Sequence, residues 1–364
     1  MTTLIPARVC LQQRVFPEYR APFFNLLGQS CLQGFSLFSG YPRPEEAIHT
    51  AAQLQGGNYQ AGRNLHISQG RTYFCIQQGL IRWLERWQPN VLIVEANPRY
   101  LSTPFAVRWM HERNMPVIGW GLGAPPAGKI ESALRGRFLH SLDAVIAYSS
   151  IGAEQYVAAG IRPDRVFVAA NAVAPKPAQS AVDRPLKFTE NKPRLLFVGR
   201  LQERKKLDVL FKACAALPPA LQPELVVVGD GPDREPFEEL AKQDYPAARF
   251  VGAKRGVELD PYFNKADLFV LPGTGGLAVQ QAMAHALPVV VGQADGTQGE
   301  LVRSENGRVL SSSDPQALTQ VLTALLSDVK KLRAMGKASY RIVAEEVNLE
   351  AMVETFAKAI QSVL

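Results

Sequence analysis

Short apolar runs alternate with amphipathic stretches over almost the whole chain. Val91-Leu-Ile-Val-Glu95, Arg194-Leu-Leu-Phe-Val198, Leu225-Val-Val-Val228 and Leu268-Phe-Val-Leu271 are four or five residues long, and Gly, Pro or Asp lies within two or three residues of each. Runs of that length with no polar face predict strands buried on both sides, as in a parallel sheet, and segments of helical period between them predict the helices that cover it. In the first half the pattern predicts strands at 8–12, 34–40, 91–95, 116–120, 143–150 and 165–173, with helices over 73–87, 103–113, 129–140 and 152–159. Residues 42–70 have no firm period. The second half repeats the alternation, with strands at 194–198, 225–228, 249–252, 268–271 and 289–291. From Asp314-Pro315, a cap and first-turn pair, it is helical except for a break at Val347-Asn348-Leu349.

Between the halves, Ala174 to Pro185 holds Pro175, Pro177 and Pro185 among polar residues, the composition of a linker. At 364 residues the chain is long enough for two cores of ordinary size. The predicted organisation is a first domain over 1–174, a linker over 175–190, a second domain over 191–345 and a terminal helix over 346–364 that packs back on the first domain.

Composition narrows the function classes. With 47% hydrophobic and 20% charged residues the chain has a globular make-up, and no apolar run reaches the ~20 residues of a membrane span. Its start lacks a basic segment followed by an apolar core, so the expected location is the cytoplasm. Cys10, Cys31, Cys75 and Cys214 form no Cys-x-x-Cys pair and read as buried thiols. The net charge is +7, and the excess lies before residue 175, where sixteen Lys/Arg meet ten Asp/Glu. Such a surface suits a phosphorylated substrate or an acidic lipid surface, including peripheral contact at the inner membrane face. No basic tract interleaved with aromatics and no zinc-finger spacing supports a nucleic-acid partner. On the segment at 129–140, Lys129, Arg135 and Arg137 make either a solvated face or such an anionic contact.

The candidate chemistry gathers where second-half strands end. Leu271-Pro-Gly-Thr-Gly-Gly-Leu277 leads from a strand through a glycine-rich turn into an Ala/Gln/Met helix. Glycines there let a ligand approach the backbone, and the helix start offers unpaired N–H groups to an anion. Arg200 and Lys205 follow the strand that ends at Val198, where open α/β sheets bind ligands. Gly229 and Gly231, then Gly252 with Lys254, follow the next two strands. Glu300, after Gly296-Thr-Gln-Gly, either accepts from a sugar or ribose hydroxyl or favours a helix N-terminus. In the first half, Arg20 sits at a loop-to-helix junction and reads either as a solvated arginine or as a phosphate or acceptor contact.

Val198-Gly-Arg-Leu with Lys205, Val228-Gly-Asp-Gly-Pro, Phe250-Val-Gly, Ala266-Asp-Leu-Phe-Val-Leu-Pro, Gly276-Leu with Ala282-Met-Ala, Leu287-Pro-Val-Val, and Glu300-Leu-Val before Asn306-Gly stand in one order. That order resembles family 4 glycosyltransferases, specifically over about 190–310 and more loosely in the first half. The resemblance implies the GT-B fold, an α/β architecture of two Rossmann-like parallel-sheet domains facing across a cleft, with the last helix crossing back to the first. It implies a retaining, metal-independent hexosyltransferase that uses a nucleotide sugar, UDP- before GDP-linked, and needs no cofactor. The acceptor would be a saccharide or lipid-linked glycan of cell-surface synthesis. Arg200 and Lys205 match the pair that stabilises the departing diphosphate. Gly199, Gly229, Gly231, Gly252, Lys254, Gly275, Gly276, Leu277, Gln281 and Glu300 fall on the donor side, and Arg20, Asn97 and Trp120 on the acceptor side. Two departures stand out. The family's paired glutamates fall on Gly273 and Gln281, and Leu122 stands nearest the position of a histidine found in many relatives. The alternative expectation is therefore a catalytically weak scaffold that binds nucleotide sugar in a glycan-assembly complex.

Overall fold

The apolar runs become strands, and the amphipathic segments become helices. The computed structural model describes residues 3–46, 48–68, 70–126, 128–275, 277–294 and 297–364. The chain first forms β1 (Val9–Val15), α1 (Ala21–Ser30), β2 (Phe35–Gly40), β3 (Asn58–Ala61), β4 (Arg63–Ile67), β5 (Phe74–Gln78) and α2 (Leu80–Trp87). It continues through β6 (Val91–Glu95), α3 (Thr103–His111), β7 (Val117–Gly121), α4 (Lys129–Leu139), β8 (Ala144–Ala147), α5 (Ser150–Ala158) and β9 (Val166–Val168). The second half forms β10 (Arg194–Val198), α6 (Leu207–Ala215), β11 (Glu224–Val228), α7 (Arg234–Asp244), β12 (Ala248–Phe250), α8 (Asp260–Lys265), β13 (Leu268–Leu271) and α9 (Leu277–Ala284). It ends with β14 (Val289–Gly292), α10 (Gln298–Leu301), β15 (Gly307–Leu310), α11 (Pro315–Leu326), α12 (Val329–Glu345) and α13 (Leu349–Gln361).

Two compact units result. Met1–Val173 with Leu349–Leu364 make the first, and Ala174–Asn348 the second. The first is built on a seven-stranded sheet in the order β3-β2-β1-β6-β7-β8-β9, parallel throughout. In it α13 packs on α1, β8 and β9, with the Phe356 ring 4.9 Å from that of Phe23 and 5.0 Å from that of Trp120. The second unit has a six-stranded parallel sheet in the order β12-β11-β10-β13-β14-β15. Both sheets run outward from their first strand and then jump back past it. Each therefore has a switch point, between β1 and β6 and between β10 and β13, where crossovers leave to opposite sides and open a crevice at the strands' carboxyl ends.

One predicted helix is corrected. The segment 73–87 is helical only from Leu80; Phe74–Gln78 instead pairs antiparallel with β4. Ile76, Leu80 and Trp83 fit a helical period, but Gly79 adopts φ +91°, a left-handed conformation that ends the strand and starts the helix. The predicted strands near 8–12 and 165–173 keep their places and change length, to Val9–Val15 and Val166–Val168. Asp314 caps α11 by accepting from Gln316 N and Ala317 N.

Candidate active site

At the second sheet's switch point, β10 runs through Gly199 and Arg200 into a 3-10 turn over Glu203–Lys205, and β13 runs through Pro272–Gly275 into α9. The two loops are laced together. Lys205 Nζ donates to Thr274 O at 2.6 Å, Arg204 donates to Thr274 Oγ1 at 3.0 Å, and Thr274 N donates to Arg204 O at 3.0 Å. Lys205 is buried at 7% exposure, and loss of hydration, aided by the neighbouring Arg204 charge, pushes its ammonium down to about 8. A desolvated ammonium beside the start of a helix is a site that gains from an anion. Arg200 is half-buried on the adjoining loop.

The glycines are there for closeness. Gly275 has φ +138°, and a Cβ on it would collide with Lys205 Nζ. A Cβ on Gly273 would fall on the Arg204 carbonyl oxygen and against the Lys205 backbone. No side chain fits at 273 unless the Lys205 turn moves, so a carboxylate at that position is sterically excluded. Gly229, at φ +149°, lies against Gly199 O, and Gly231 lies against Leu201 O, with Leu201 N donating to Asp230 O at 2.9 Å. The Gly252 carbonyl accepts from Gly229 N at 2.9 Å. These backbones set the loops' spacing.

The remaining donor-side positions divide. Leu277 opens α9, and Gln281 is half-buried on it with no side-chain partner among the described residues; Gly276 lies outside those residues. The neighbouring Gln280 is fully buried, accepting from Ala174 N at 2.9 Å and donating to Val347 O at 2.7 Å. Glu300 is half-buried on α10. Gln298, two residues earlier, was not singled out by sequence; it is buried and donates to Gly275 O at 3.0 Å, tying α10 to the glycine turn. Its signal was the glycine-flanked Thr-Gln-Gly. The structure does not bring Lys254 to this cluster. It lines a cavity of about 770 Å³ with Arg194, Glu224 and Asp267, residues at the amino ends of β10, β11 and β13.

In the first unit, Arg20 is buried in a cage of rings. Its guanidinium lies 5.6, 5.3 and 5.7 Å from the centroids of Tyr19, Trp120 and Tyr148, and it donates to Asn171 Oδ1 and Ala172 O. Trp120 is buried at the end of β7, Asn97 is half-buried beyond β6, and Leu122 is exposed. Sequence reading missed Glu95 and Arg14, which end β6 and β1. Arg14 N donates to Glu95 Oε2 at 2.6 Å across 81 residues of chain, a separation no local pattern reveals. Among the described residues, no three or more His, Cys, Asp or Glu side chains gather as a metal site, and no helix is long and apolar enough to cross a membrane.

Residues 179–342 match the family model described as Glycosyl transferases group 1. The chain is 31% identical over 198 residues to the GDP-mannose-dependent monoacylated alpha-(1-6)-phosphatidylinositol monomannoside mannosyltransferase of Corynebacterium glutamicum, covering 50% of this chain and 51% of that protein. It is 32% identical over 154 residues to the sulfoquinovosyl transferase SQD2 of Arabidopsis thaliana, covering 41% and 29%. The chain thus spans about half or less of these curated relatives' lengths. Among solved structures, that of Anabaena Alr3699/HepE in complex with UDP matches with a TM-score of 0.72 at 15% identity, over 98% of this chain and 99% of that one. The chain has the GT-B fold, and its residues 179–342 are a segment similar to group 1 glycosyl transferases.

Proposed function

We propose that the protein transfers a hexose from a UDP- or GDP-linked donor to a saccharide or lipid-linked acceptor, with retention of configuration and without a metal ion. The observation that carries this reading is the buried Lys205 ammonium held between Gly275 and the Thr274 carbonyl, beside the start of α9 and on the loop that also carries Arg200. When the bond from the anomeric carbon to the diphosphate breaks, its electron pair goes to the β-phosphate. A fixed, desolvated ammonium such as that of Lys205, joined by Arg200 from the same loop, stabilises that charge more than water would. The Corynebacterium relative is named for GDP-mannose and the Anabaena structure contains UDP, which supports a nucleotide-sugar donor of one kind or the other. The excluded side chain at Gly273 favours the second reading, a nucleotide-sugar-binding scaffold.

A donor panel tests the choice. UDP-glucose, UDP-galactose and GDP-mannose are incubated with the protein in the presence and absence of EDTA, and free nucleoside diphosphate is measured. Release from one donor, unchanged by EDTA, is the expected result. Tight nucleotide binding with no release from any donor overturns the transferase in favour of the scaffold.

A further inference from the structure

Glu95 closes β6 at the first sheet's switch point, beside the end of β1. Its Oε2 is held by Arg14 N at 2.6 Å; its Oε1 has no donor among the described residues, and the side chain is half-buried rather than sealed. Neither nearby cation pairs with it. The Arg14 guanidinium turns to Glu46, 2.9 Å away, and that of Arg20 is committed to Asn171 and Ala172. A carboxylate that loses hydration and gains no counter-ion is costly in a purely structural role. Carboxylates kept this way concentrate at functional sites.

The surroundings select the ligand. The charges of Arg14 and Arg20 reach Glu95 and oppose a cation, and the carboxylate itself opposes an anion. Trp120 is the strand partner of Glu95 across β6 and β7, and its buried ring lies 5.1 Å from that of the half-buried Tyr148, so the carboxylate stands in aromatic surroundings. A neutral ring bearing hydroxyls meets all three conditions. Building on the transferase reading above, we propose that Glu95 Oε1 accepts a hydrogen bond from a hydroxyl of a neutral sugar acceptor and thereby sets acceptor affinity and selectivity.

The contact carries a pH dependence. Burial pushes the Glu95 carboxyl up to about 7, against the lowering effects of the Arg14 amide and of the Arg14 and Arg20 charges. The other titratable groups facing it are Tyr100, Tyr148 and Cys75, all pushed upward by burial and neutral near pH 7. Glu95 is thus the group of this set that changes charge near neutrality. Below about pH 7 it is protonated and accepts poorly, so acceptor affinity falls as the pH falls.

The experiment uses the full chain, the donor found active, and methyl α-glycosides of mannose, glucose and galactose as acceptors. Nucleotide release is measured with and without acceptor, across pH, for the wild type and for Glu95→Gln and Glu95→Ala. The expected result is acceleration of release by at least one glycoside, with an acceptor KM about tenfold higher or more in both variants, the loss of a hydrogen bond to a charged group. Acceptor-independent release and nucleotide Kd stay at wild-type values. The wild-type acceptor kcat/KM falls on acidification through about 7, and the Glu95→Gln profile is flat there. If Glu95→Gln does not fold, Glu95→Asp, which keeps the charge, is expected to retain the acidic limb. An unchanged KM and pH profile in Glu95→Gln overturns the assignment, as does a wild type that releases nucleotide but is accelerated by none of the glycosides. A protein that neither releases nor binds nucleotide overturns the transferase reading itself, and this site with it.

Discussion

At Gly273, an absent carboxylate and an excluded one make opposite predictions. If the position were only vacant, Gly273→Glu would add a carboxylate able to contact a donor hydroxyl and tighten donor binding. The Arg204 carbonyl and the Lys205 backbone occupy the space instead. The substitution is therefore expected to displace the turn that places Lys205, costing roughly 1–3 kcal/mol of stability as overpacking does, and to weaken nucleotide binding in calorimetry. Tighter binding would show that the turn yields. Lys205 itself gives a second test. Its ammonium sits near 8, so donor kcat/KM should fall as pH rises through about 8, and binding of a diphosphate should move that limb to higher pH in kcat. Lys205→Ala should lower turnover by about 10²-fold or more and abolish the limb. A limb that survives the substitution belongs to another group. At this scale the sequence disclosed the residues whose type is unusual for their place: glycines after strands, and cations at a strand's carboxyl end. It did not disclose Glu95 or Gln298. Glu95 reads as the last residue of a strand until Arg14, 81 positions away, is folded against it.

Among the elements, the strands buried on both faces were the most legible, because an apolar run of that length has few other places to go. β10, β11 and β13 fall where their runs do. The poorly legible elements were those at the margin. β3 and β4 are half-polar, and β5 carries Phe74 and Ile76 at strand spacing while Ile76 also falls in helical register with Leu80 and Trp83 across Gly79. In α9 the adjacent glutamines look alike in sequence and differ in the fold. Gln281 has no side-chain partner among the described residues, whereas Gln280 ties α9 to the Ala174 amide and the Val347 carbonyl. Gln280→Ala leaves both backbone groups without that partner in a buried place, and is expected to cost roughly 1–3 kcal/mol in chemical denaturation. A loss under about 0.5 kcal/mol, the range of an ordinary surface change, would mean that water or a rearranged loop replaces the amide.

In the whole molecule, the first unit is discontinuous: its core is completed by a helix made last. α13 belongs to the unit that begins the chain, and Phe356 stands fully buried between Phe23 of α1 and Trp120 of β7. Trp120 in turn flanks the aromatic cage of Arg20 and the neighbourhood of Glu95. Phe356→Ala should therefore cost about 3–5 kcal/mol, as for other fully buried aromatics, and the cost should fall on the first unit. Thermal unfolding followed by tryptophan fluorescence should show an earlier transition, since the chain's tryptophans, Trp83, Trp87, Trp109 and Trp120, all lie in that unit. Nucleotide Kd should stay within about twofold, because the Lys205 cluster belongs to the second unit and, among the described residues, shares no partner with Phe356, and independent sites act additively. Acceptor-dependent release should suffer before acceptor-independent release does, because the mutation loosens the packing of Trp120, the strand partner of Glu95, and leaves the glycine turn at Lys205 intact. A variant that loses nucleotide binding in step with its fluorescence transition would show that the two units unfold as one, and that donor binding depends on the packing of α13.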